Sequence, residues 1–553
     1  KTANLYILHG NIRDFLPHQL YEGEFIFNRI QEYIAEVLFG GRDIIAYYDR
    51  SGGVNFHSAE MRNEYLSEMR RSFPGVAQEE FISRSPLKAF SHLEHYFLAN
   101  IPHNKRIVLL VDYAETLVPH GAMAELSEED RTVLVTLNRW SHDPIFTQGD
   151  VSVLLLTENL ADLMPRLVSS PSTVKVGIPF PDLEVRQLFL EFLDRQDKLL
   201  LESRMSPALA ARVTSGLNLL NLNQIAAESF QEDRPLGLED LKRKKKEIIE
   251  NESGGLLEFM ESSYDLSYVA GHDFVKKRFR SAAKAIKQGL LDILPMGYLL
   301  SGPVGTGKSF LVSAFTGELG IPMVRFRYFR SQWQGMSESN LERILHLLTA
   351  LAPVGVLVDE ADAFFRTRSE EDGTNARMAA RMAAFMGDTK YRGQVIWFLI
   401  TARPDLIPID LKRQGRAEEH LALFYPDTPE EKNEIFQTLV RKLDLKIRDF
   451  SFLDILKKFK QDFSGADLEA ILIRAKFLSA QSGRTFINKE DLETTILDFV
   501  PPAYPHEIEL QNLVAVLECT SREQVPKKFQ NLDRGRLIQE IKELKTLLGE
   551  RTH

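Results

Sequence analysis

The chain has very few of the residues that mark disulfide-bonded or membrane-spanning proteins. Its 553 residues include a single cysteine, Cys519, which excludes an intramolecular disulfide framework and argues against a thiolate metal cluster. No unbroken apolar run approaches the roughly 20 residues that a bilayer span needs. The first residues also do not resemble a secretory signal. We therefore expect a cytoplasmic protein with no membrane partner.

Positive charge is also in short supply. The 68 lysines and arginines are outnumbered by 78 aspartates and glutamates, for a formal net charge of −10. Non-specific binding to nucleic acid needs a positive field, so this balance argues against a nucleic-acid partner. The one strongly basic run, residues 242–246, has acids close on either side and apolar residues at helical spacing. That pattern favours a solvated helix face over a nucleic-acid patch.

The most informative pattern that is present is a glycine-rich loop. After a short apolar stretch, Gly302, Gly307, Lys308 and Ser309 form the motif G-x-x-x-x-G-K-S. Such a loop wraps backbone N–H groups around phosphate oxygens at the positive end of a helix. We expect Lys308 to reach the β- and γ-phosphates and Ser309 to bind Mg²⁺. The predicted phosphate-binding residues are Gly302, Pro303, Val304, Gly305, Thr306, Gly307, Lys308, Ser309 and Phe310.

A second apolar run, further along the chain, ends in two adjacent carboxylates, Asp359 and Glu360. Its short length, bounded by Pro353 and the acids, suits a buried parallel strand. Because it follows a phosphate-binding loop, we expect Asp359 to hold the metal and Glu360 to polarise an attacking water. The alternative is a strand whose terminal acids simply face solvent.

A third apolar strand ends at Thr401 and Ala402, and two arginines follow, Arg413 and Arg416. Together with the preceding motifs, these residues resemble the AAA family of ATPases, in the branch that carries a second region of homology. The resemblance implies ATP and Mg²⁺ as cofactors, a sensor role for Thr401, and arginine fingers that reach the neighbouring subunit's nucleotide. The family's sensor asparagine is replaced by Ala402. Thr401 must substitute for it, or hydrolysis should be slow.

Further motifs extend the resemblance over residues 262–500. Val269 and Gly271 lie where the family contacts adenine, and Gly465 and Ala466 belong to a lid signature near the nucleotide.

Trp333 lies in an aromatic–x–Gly element, at the position where the family lines the central channel of a hexamer. The resemblance therefore implies a homo-oligomeric ring, most simply a hexamer, in which Trp333 grips an unidentified protein substrate. A tryptophan buried under the helix that follows the glycine-rich loop is the alternative.

The first half of the chain reads as a degenerate copy of the second. Asp112 and Tyr113 parallel Asp359 and Glu360, with tyrosine in place of the proposed base. We expect the first strand of this copy at residues 43–48, running into a segment that lacks a lysine and has too few glycines for a phosphate cradle. We interpret this half as an inactive module kept for assembly or partner binding. The alternative is an unrelated α/β domain that shares only its strand periodicity.

The predicted fold is α/β: a doubly wound parallel-sheet P-loop NTPase module with a helical lid, present twice. The expected domains are a degenerate module (1–235), a charged linker helix (236–262), an active large subdomain (263–427), a lid (428–500) and a C-terminal helical extension (501–553). The predicted function is Mg²⁺-dependent ATP hydrolysis in a ring, coupled to remodelling or translocation of a protein. The alternatives are a nucleotide-switched scaffold with slow turnover and, against the charge balance, a nucleic-acid motor.

Overall fold

The chain forms two compact units in the structure, which is a computed structural model. Residues 3–21, 24–327, 338–365, 373–448, 450–456, 463–500, 504–530 and 533–549 are described. The first unit contains the residues up to Ser253 together with helix Glu338–Ala350, and the second contains the other described residues.

The first unit is built on a six-stranded sheet and a separate hairpin. The strands are β1 (Leu5–Gly10), β2 (Phe15–Tyr21), β3 (Glu24–Arg29), β4 (Ile44–Asp49), β5 (Gly53–Phe56), β6 (Ile107–Val111), β7 (Val151–Thr157) and β8 (Thr173–Ile178). The order in the sheet is β5-β4-β6-β7-β1-β8. Adjacent strands of the sheet are parallel, except that β5 is antiparallel to β4, and β2 and β3 form the hairpin. The longer helices are Ala59–Ser72, Pro86–Asn100, Glu128–His142, Leu183–Arg195, Pro207–Val213, Leu219–Gln231 and Leu238–Glu252.

The second unit repeats this sheet. The strands are β9 (Leu257–Phe259), β10 (Gly297–Ser301), β11 (Met323–Phe326), β12 (Val354–Val358), β13 (Val395–Ile400) and β14 (Glu419–Ala422). Their order in the sheet is β14-β10-β13-β12-β11-β9. Among these six strands, only the edge strand β9 is antiparallel to its neighbour. The helices around the sheet include Asp273–Lys287, Lys308–Leu319, Ala361–Phe365 and Gly373–Met386. The lid helices are Pro429–Lys442, Phe452–Leu456, Gly465–Gln481 and Lys489–Asp498. The last two helices are Pro505–Glu518 and Arg534–Leu547.

The central strands of the second sheet are apolar along their whole length because both faces of the sheet are covered. Every residue of β10, β12 and β13 is buried. On one face, the ring of Phe279 stacks on Phe315 with centroids 4.3 Å apart and meets Phe398 of β13 edge-on. This aromatic cluster fixes the helix that follows the glycine-rich loop against the sheet. The predicted fold, a doubly wound α/β module with a helical lid present twice, is confirmed.

Strand pairing corrects one expectation for the first unit. We expected its first strand at residues 43–48, but β1 is the strand that pairs with β7 and β8, as β10 pairs with β13 and β14. The counterpart of the glycine-rich loop therefore begins at Gly10. The sequence concealed this because the chain there runs into the β2–β3 hairpin and not into a glycine-rich turn and helix.

Helix Leu238–Glu252, which we expected to be a linker, lies within the first unit. Its basic run has one buried member, Lys245, whose ammonium group donates to Val213 O (3.2 Å) and to Ser215 Oγ (2.9 Å). Burial lowers the pKa of Lys245 to about 8. This helix therefore contributes to the packing of the first unit.

None of the described helices is both long enough and apolar enough to cross a bilayer.

Candidate functional site

A cavity opens at the carboxyl ends of the central strands of the second sheet, which is where open parallel sheets bind their ligands. We call it the P-loop cavity. It is lined by Val304, Gly305, Gly307, Lys308, Ser309, Phe310, Asp359, Glu360, Asp362, Ala363, Ile400, Thr401, Ala402, Arg403 and Gln511. The loop after β10 and the acids after β12, which are far apart in sequence, thus share one pocket.

Two glycines give the loop its shape. Gly302 has φ 136°, and a Cβ there would lie 2.0 Å from Leu423 O, so only glycine lets the loop leave the sheet this closely. Gly307 has φ 85° and precedes the first turn of helix Lys308–Leu319. The positive end of this helix and its free N–H groups therefore face the cavity.

Lys308 is the buried cation of the site, with 8% of its surface exposed. Its Nζ donates to Gly302 O (2.7 Å) and to Pro303 O (2.8 Å). Desolvation lowers the pKa of Lys308 to about 8, although the charges of Asp359 and Asp362 act in the opposite direction. Gly302 and Pro303 do not line the cavity themselves. Their carbonyl groups hold the ammonium group of Lys308 in place beside the cavity.

The two carboxylates after β12 differ in their partners. Asp359 accepts a 2.8 Å hydrogen bond from Ser309 Oγ, which brings the two predicted metal ligands together. Glu360 has φ 49°, an uncommon conformation for a residue other than glycine. Its N–H donates to Asp359 Oδ1 at 3.0 Å, which helps to hold this strained turn. Strain of this kind is typical of functional sites, and here it leaves Glu360 on the cavity wall.

At the predicted sensor position, Thr401 is buried and already hydrogen-bonded. Its hydroxyl donates to Asp362 Oδ1 at 2.6 Å and accepts the N–H of Arg403 at 2.8 Å. Since a hydroxyl has one proton, Thr401 has none left for a ligand while it is bonded to Asp362. Ala402 also lines the cavity and offers no side-chain donor.

A second cavity of the same unit shares Gly305, Gly307 and Phe310 with the P-loop cavity. It is lined by Tyr268, Val269, Ala270, His272, Gly305, Thr306, Gly307, Phe310, Phe424, Tyr425, Pro426, Ile435, Thr438, Leu439, Lys442, Gly465, Ala466 and Glu469. The structure thus brings Val269 together with the lid residues Gly465 and Ala466 around a mostly apolar pocket. Gly271 does not line it, but its N–H donates to Glu434 Oε1 of the lid at 3.0 Å.

His272 lies at the wall of this second cavity with a backbone φ of 53°. Desolvation lowers the pKa of His272 to about 4, despite a hydrogen bond with the backbone of Thr306 that acts in the opposite direction. Its imidazole is therefore neutral at physiological pH. A neutral ring suits this mostly apolar pocket.

Arg413 and Arg416 line neither cavity of their own unit. Arg413 is exposed, and its guanidinium contacts Asp410 at 2.7 Å. The N–H of Arg416 donates to Arg413 O at 3.2 Å, which joins the two residues in one turn. The two arginines thus lie together, apart from these two cavities. Trp333, the candidate for contact with a protein substrate, lies outside the described residues.

The first unit has the same turn at the corresponding place but no phosphate loop. Tyr113 has φ 50°, and its N–H donates to Asp112 Oδ1 at 2.8 Å, as Glu360 does to Asp359. The charge of Asp112 is compensated within the protein by Arg13, whose Nη1 lies 2.8 Å away. The guanidinium group also lies over the ring of Tyr113, 4.1 Å from its centre.

The residue after Arg13, Asp14, is buried and caps a helix of the same unit. Its carboxylate accepts the N–H groups of Leu219 (3.0 Å) and Leu220 (2.8 Å), at the start of helix Leu219–Gln231. A helix N-terminus is a natural anion site, and here a side chain of the same unit fills it. Arg13 and Asp14 are thus both engaged by groups of the same unit.

Sequence reasoning missed several residues that the fold brings to the site. Asp362 stands in the acidic motif, where its spacing from Asp359 could have drawn attention. Arg403 follows the sensor position directly. Tyr425 donates a 2.5 Å hydrogen bond to Val304 O, and Gln511 reaches the cavity from the C-terminal helices. No motif in the sequence points to Gln511, because only tertiary packing brings it there.

Three family models match successive parts of the chain. Residues 1–179 match "AAA+ chaperone, N-terminal Rossmann-like domain", and residues 184–254 match "AAA+ chaperone, second helical domain". Residues 298–425 match "ATPase family associated with various cellular activities (AAA)". The third match covers the glycine-rich loop, the acidic strand and the arginines.

Similar proteins share parts of the chain. It is 30% identical over 271 residues to an "Uncharacterized AAA domain-containing protein ycf46" of Gracilaria tenuistipitata var. liui, covering 47% of this chain and 53% of that protein. A protein of the same description from Guillardia theta is 23% identical, with 78% of this chain and 82% of the relative covered. An "ATP-dependent zinc metalloprotease FtsH" of Rhodothermus marinus is 30% identical over 41% of this chain and 34% of that protein. The chain thus spans about half or less of the Gracilaria and Rhodothermus proteins.

The lowered pKa of Lys308 predicts that ATP binding takes up protons. Nearby phosphate charge favours the ammonium form and raises the lysine pKa. Because the pKa of the ligand-free lysine is lowered to about 8, part of it is deprotonated at mildly alkaline pH, and ATP binding there should take up protons. ATP affinity should accordingly fall as the pH rises above 8. Calorimetric titration in two buffers of different ionisation enthalpy measures this uptake directly.

Lys308→Arg is the matched control for this titration, because a guanidinium group keeps its proton throughout this pH range. In that variant, any remaining binding should show no dependence on the buffer. A wild-type binding enthalpy that is the same in both buffers at pH 8 would contradict the buried-lysine account.

Proposed function

We propose that this chain, which belongs to the AAA family of ATPases, hydrolyses ATP at the P-loop cavity of its second unit and uses the energy to remodel or translocate a protein substrate. The observation that carries the proposal is the convergence of Lys308, the Ser309–Asp359 pair and Glu360 on one cavity. These are the groups that phosphoryl transfer needs: a phosphate-binding cation, oxygen ligands for a metal, and a carboxylate for water.

The site has suitable ligands for a magnesium ion. A hydroxyl and a carboxylate oxygen 2.8 Å apart are the donor types that Mg²⁺ prefers, and Mg²⁺ commonly uses only one or two protein ligands beside phosphates and waters. Among the described residues, no group of three or more histidine, cysteine or acidic side chains is arranged so that it could hold a metal ion, so the ion would take its other ligands from phosphates and waters. When bound with ATP, the ion would neutralise charge on the β- and γ-phosphates.

Each protein group then has a defined task. Lys308 and the backbone N–H groups of the loop hold the phosphates, and Glu360 accepts a proton from the attacking water. The adenine would lie in the second cavity, against Val269 and the lid residues Gly465 and Ala466. Since that cavity is formed by both the large subdomain and the lid, exchange of ATP for ADP would move the lid.

The sensor position predicts a modest intrinsic rate. Thr401 donates to Asp362, so it must break a 2.6 Å hydrogen bond before it can contact a phosphate. This observation favours, as the second candidate, a nucleotide-switched scaffold with slow turnover. Stimulation of turnover by a protein substrate would support the remodelling function, whereas a uniformly slow rate would support the scaffold.

We also propose that the active site is completed between subunits of a ring, most simply a homohexamer. Arg413 and Arg416 lie outside their own cavities, as arginine fingers that serve a neighbour must. In such a ring Trp333 would contact the protein substrate. The sequence contains no His-Glu-x-x-His zinc motif, so the protease activity in the name of the Rhodothermus relative is not part of this proposal. The single cysteine fits a reducing compartment such as the cytoplasm.

Replacing Glu360 by Gln should separate ATP binding from hydrolysis. The amide keeps the shape of the side chain but cannot accept the proton, so phosphate release should fall by about 100-fold or more. ATP affinity should be retained, because the phosphate-holding groups are unchanged. Glu490→Gln, on the exposed surface of the lid, is the control and should turn over normally. Turnover at the wild-type rate in Glu360→Gln would reject the assignment of the base.

Replacing Arg416 by Ala tests whether the site is shared. Turnover should fall by about 1,000-fold, with ATP affinity nearly unchanged, while Arg536→Ala on the surface of the last helix should have little effect. Mixing Arg416→Ala with Lys308→Ala should restore activity, because some interfaces in a mixed ring would combine an intact lysine with an intact arginine. Absence of any recovery, with both variants folded and assembled, would contradict a shared site.

A further inference from the structure

The last two helices and the chain between them are firmly attached to the second unit. We call the described part of this segment, residues 504–530 and 533–549, the C-terminal extension. Its own core contains Leu510, Leu513, Val514, Phe529, Leu537 and Ile541, all buried. The side-chain amide of Gln524 accepts the N–H of Ala422 (2.9 Å) and donates to His420 O (3.1 Å). This amide therefore forms hydrogen bonds with backbone groups at the edge of β14, as a further strand would.

An ion-pair chain links the extension to the loop after β13. Lys545 Nζ lies 2.7 Å from Asp405 Oδ2, and Asp405 also holds the guanidinium of Arg403 through contacts of 2.9 Å and 3.0 Å. The side chains of all three are at most 19% exposed. The extension is therefore fixed directly beside the P-loop cavity.

Gln511 is the residue of the extension that enters this cavity. It lies on helix Pro505–Glu518, and its Oε1 accepts the N–H of Val304 at 3.0 Å. A backbone N–H can only donate, so the amide oxygen must face the loop and the NH₂ group must point away from it. That NH₂ group has no hydrogen-bond partner among the residues that the structure describes, although the side chain lines the cavity.

We propose that Gln511 supplies a hydrogen-bond donor to the γ-phosphate, or to the water that attacks it, from outside the ATPase core. The inference rests on the proposed function and names a residue that acts in it. Two observations favour this role. Ala402, on the wall of the same cavity, has no donor, and Thr401 has committed its proton to Asp362. A neutral amide can orient a water or a phosphate oxygen without adding charge beside Lys308.

The hydrogen bond from the N–H of Val304 also fixes the orientation of the Gln511 amide. Val304 is held at both ends, because its N–H donates to Gln511 and its carbonyl accepts from Tyr425 at 2.5 Å. An amide whose oxygen is fixed in this way loses little freedom on binding, which is the condition for an oriented contact. The C-terminal extension is thereby a component of the catalytic site as well as a cover for the sheet edge.

The test uses the full-length chain with ATP and ADP as separate probes. Gln511→Met keeps the length of the side chain but removes the donor. Turnover and the preference for ATP over ADP should each fall by about tenfold or more, whereas ADP affinity should change little because ADP has no γ-phosphate. Gln539→Met, on the exposed face of the last helix, is the matched control and should behave as wild type.

A rescue variant distinguishes a direct contact from a structural one. Ala402→Asn places an amide on another wall of the same cavity, so Gln511→Met combined with Ala402→Asn should recover most of the lost turnover. If Gln511→Met lowers the thermal unfolding midpoint, Gln511→Glu is used with it, since a carboxylate still accepts from Val304 but cannot donate.

The outcomes are separable. Unchanged or faster turnover in Gln511→Met overturns the inference, as does an equal loss of ATP and ADP affinity that Ala402→Asn does not rescue. The latter would show that Gln511 only braces the loop. If wild type and Gln539→Met themselves bind no ATP, then it is the proposed function that fails.

Discussion

The buried ammonium group of Lys308 is the constraint on which the site depends. A charge that leaves water must find compensating partners, and here two backbone carbonyls of the glycine-rich loop and the nearby Asp359 and Asp362 provide them. The compensation is partial, which is why burial lowers the lysine pKa. In the proposed function, the phosphates of a nucleotide would complete this compensation. Neutralising the charge of Lys308 would therefore contribute directly to the free energy of nucleotide binding at this site.

In the first unit, the charged residues at the corresponding turn have partners within the protein itself. It keeps the strained turn after the acidic strand, with Tyr113 in the left-handed conformation that Glu360 adopts in the second unit. The guanidinium group of Arg13 lies beside Asp112, and the carboxylate of Asp14 accepts backbone N–H groups at a helix N-terminus. The unit thus retains the fold and engages Asp112 and Asp14 with its own groups. We infer that it serves assembly or partner binding.

The sequence was sufficient to predict the parts of the site that are formed by residues close together in the chain. Lys308, Ser309, Asp359 and Glu360 follow from spacing and residue type, because the loop and the strand end each need particular residues in consecutive positions. The first strand of the first unit was placed wrongly, since its identity lies in its pairing with β7 and β8 and not in its composition. Gln511 and the Arg13–Asp14 pair could not be predicted either. Each depends on contacts between distant segments, which leave no periodic trace in the sequence.

The central claim is that the second unit of each chain binds a nucleotide at Lys308 and that the first unit, which lacks a phosphate-binding loop, binds none. The most direct test is the binding stoichiometry of ATP on Glu360→Gln chains, measured at saturation with a radiolabelled nucleotide. The account predicts one ATP per chain, and none when Lys308→Ala is added. Two nucleotides per chain, or one that persists without Lys308, would contradict it.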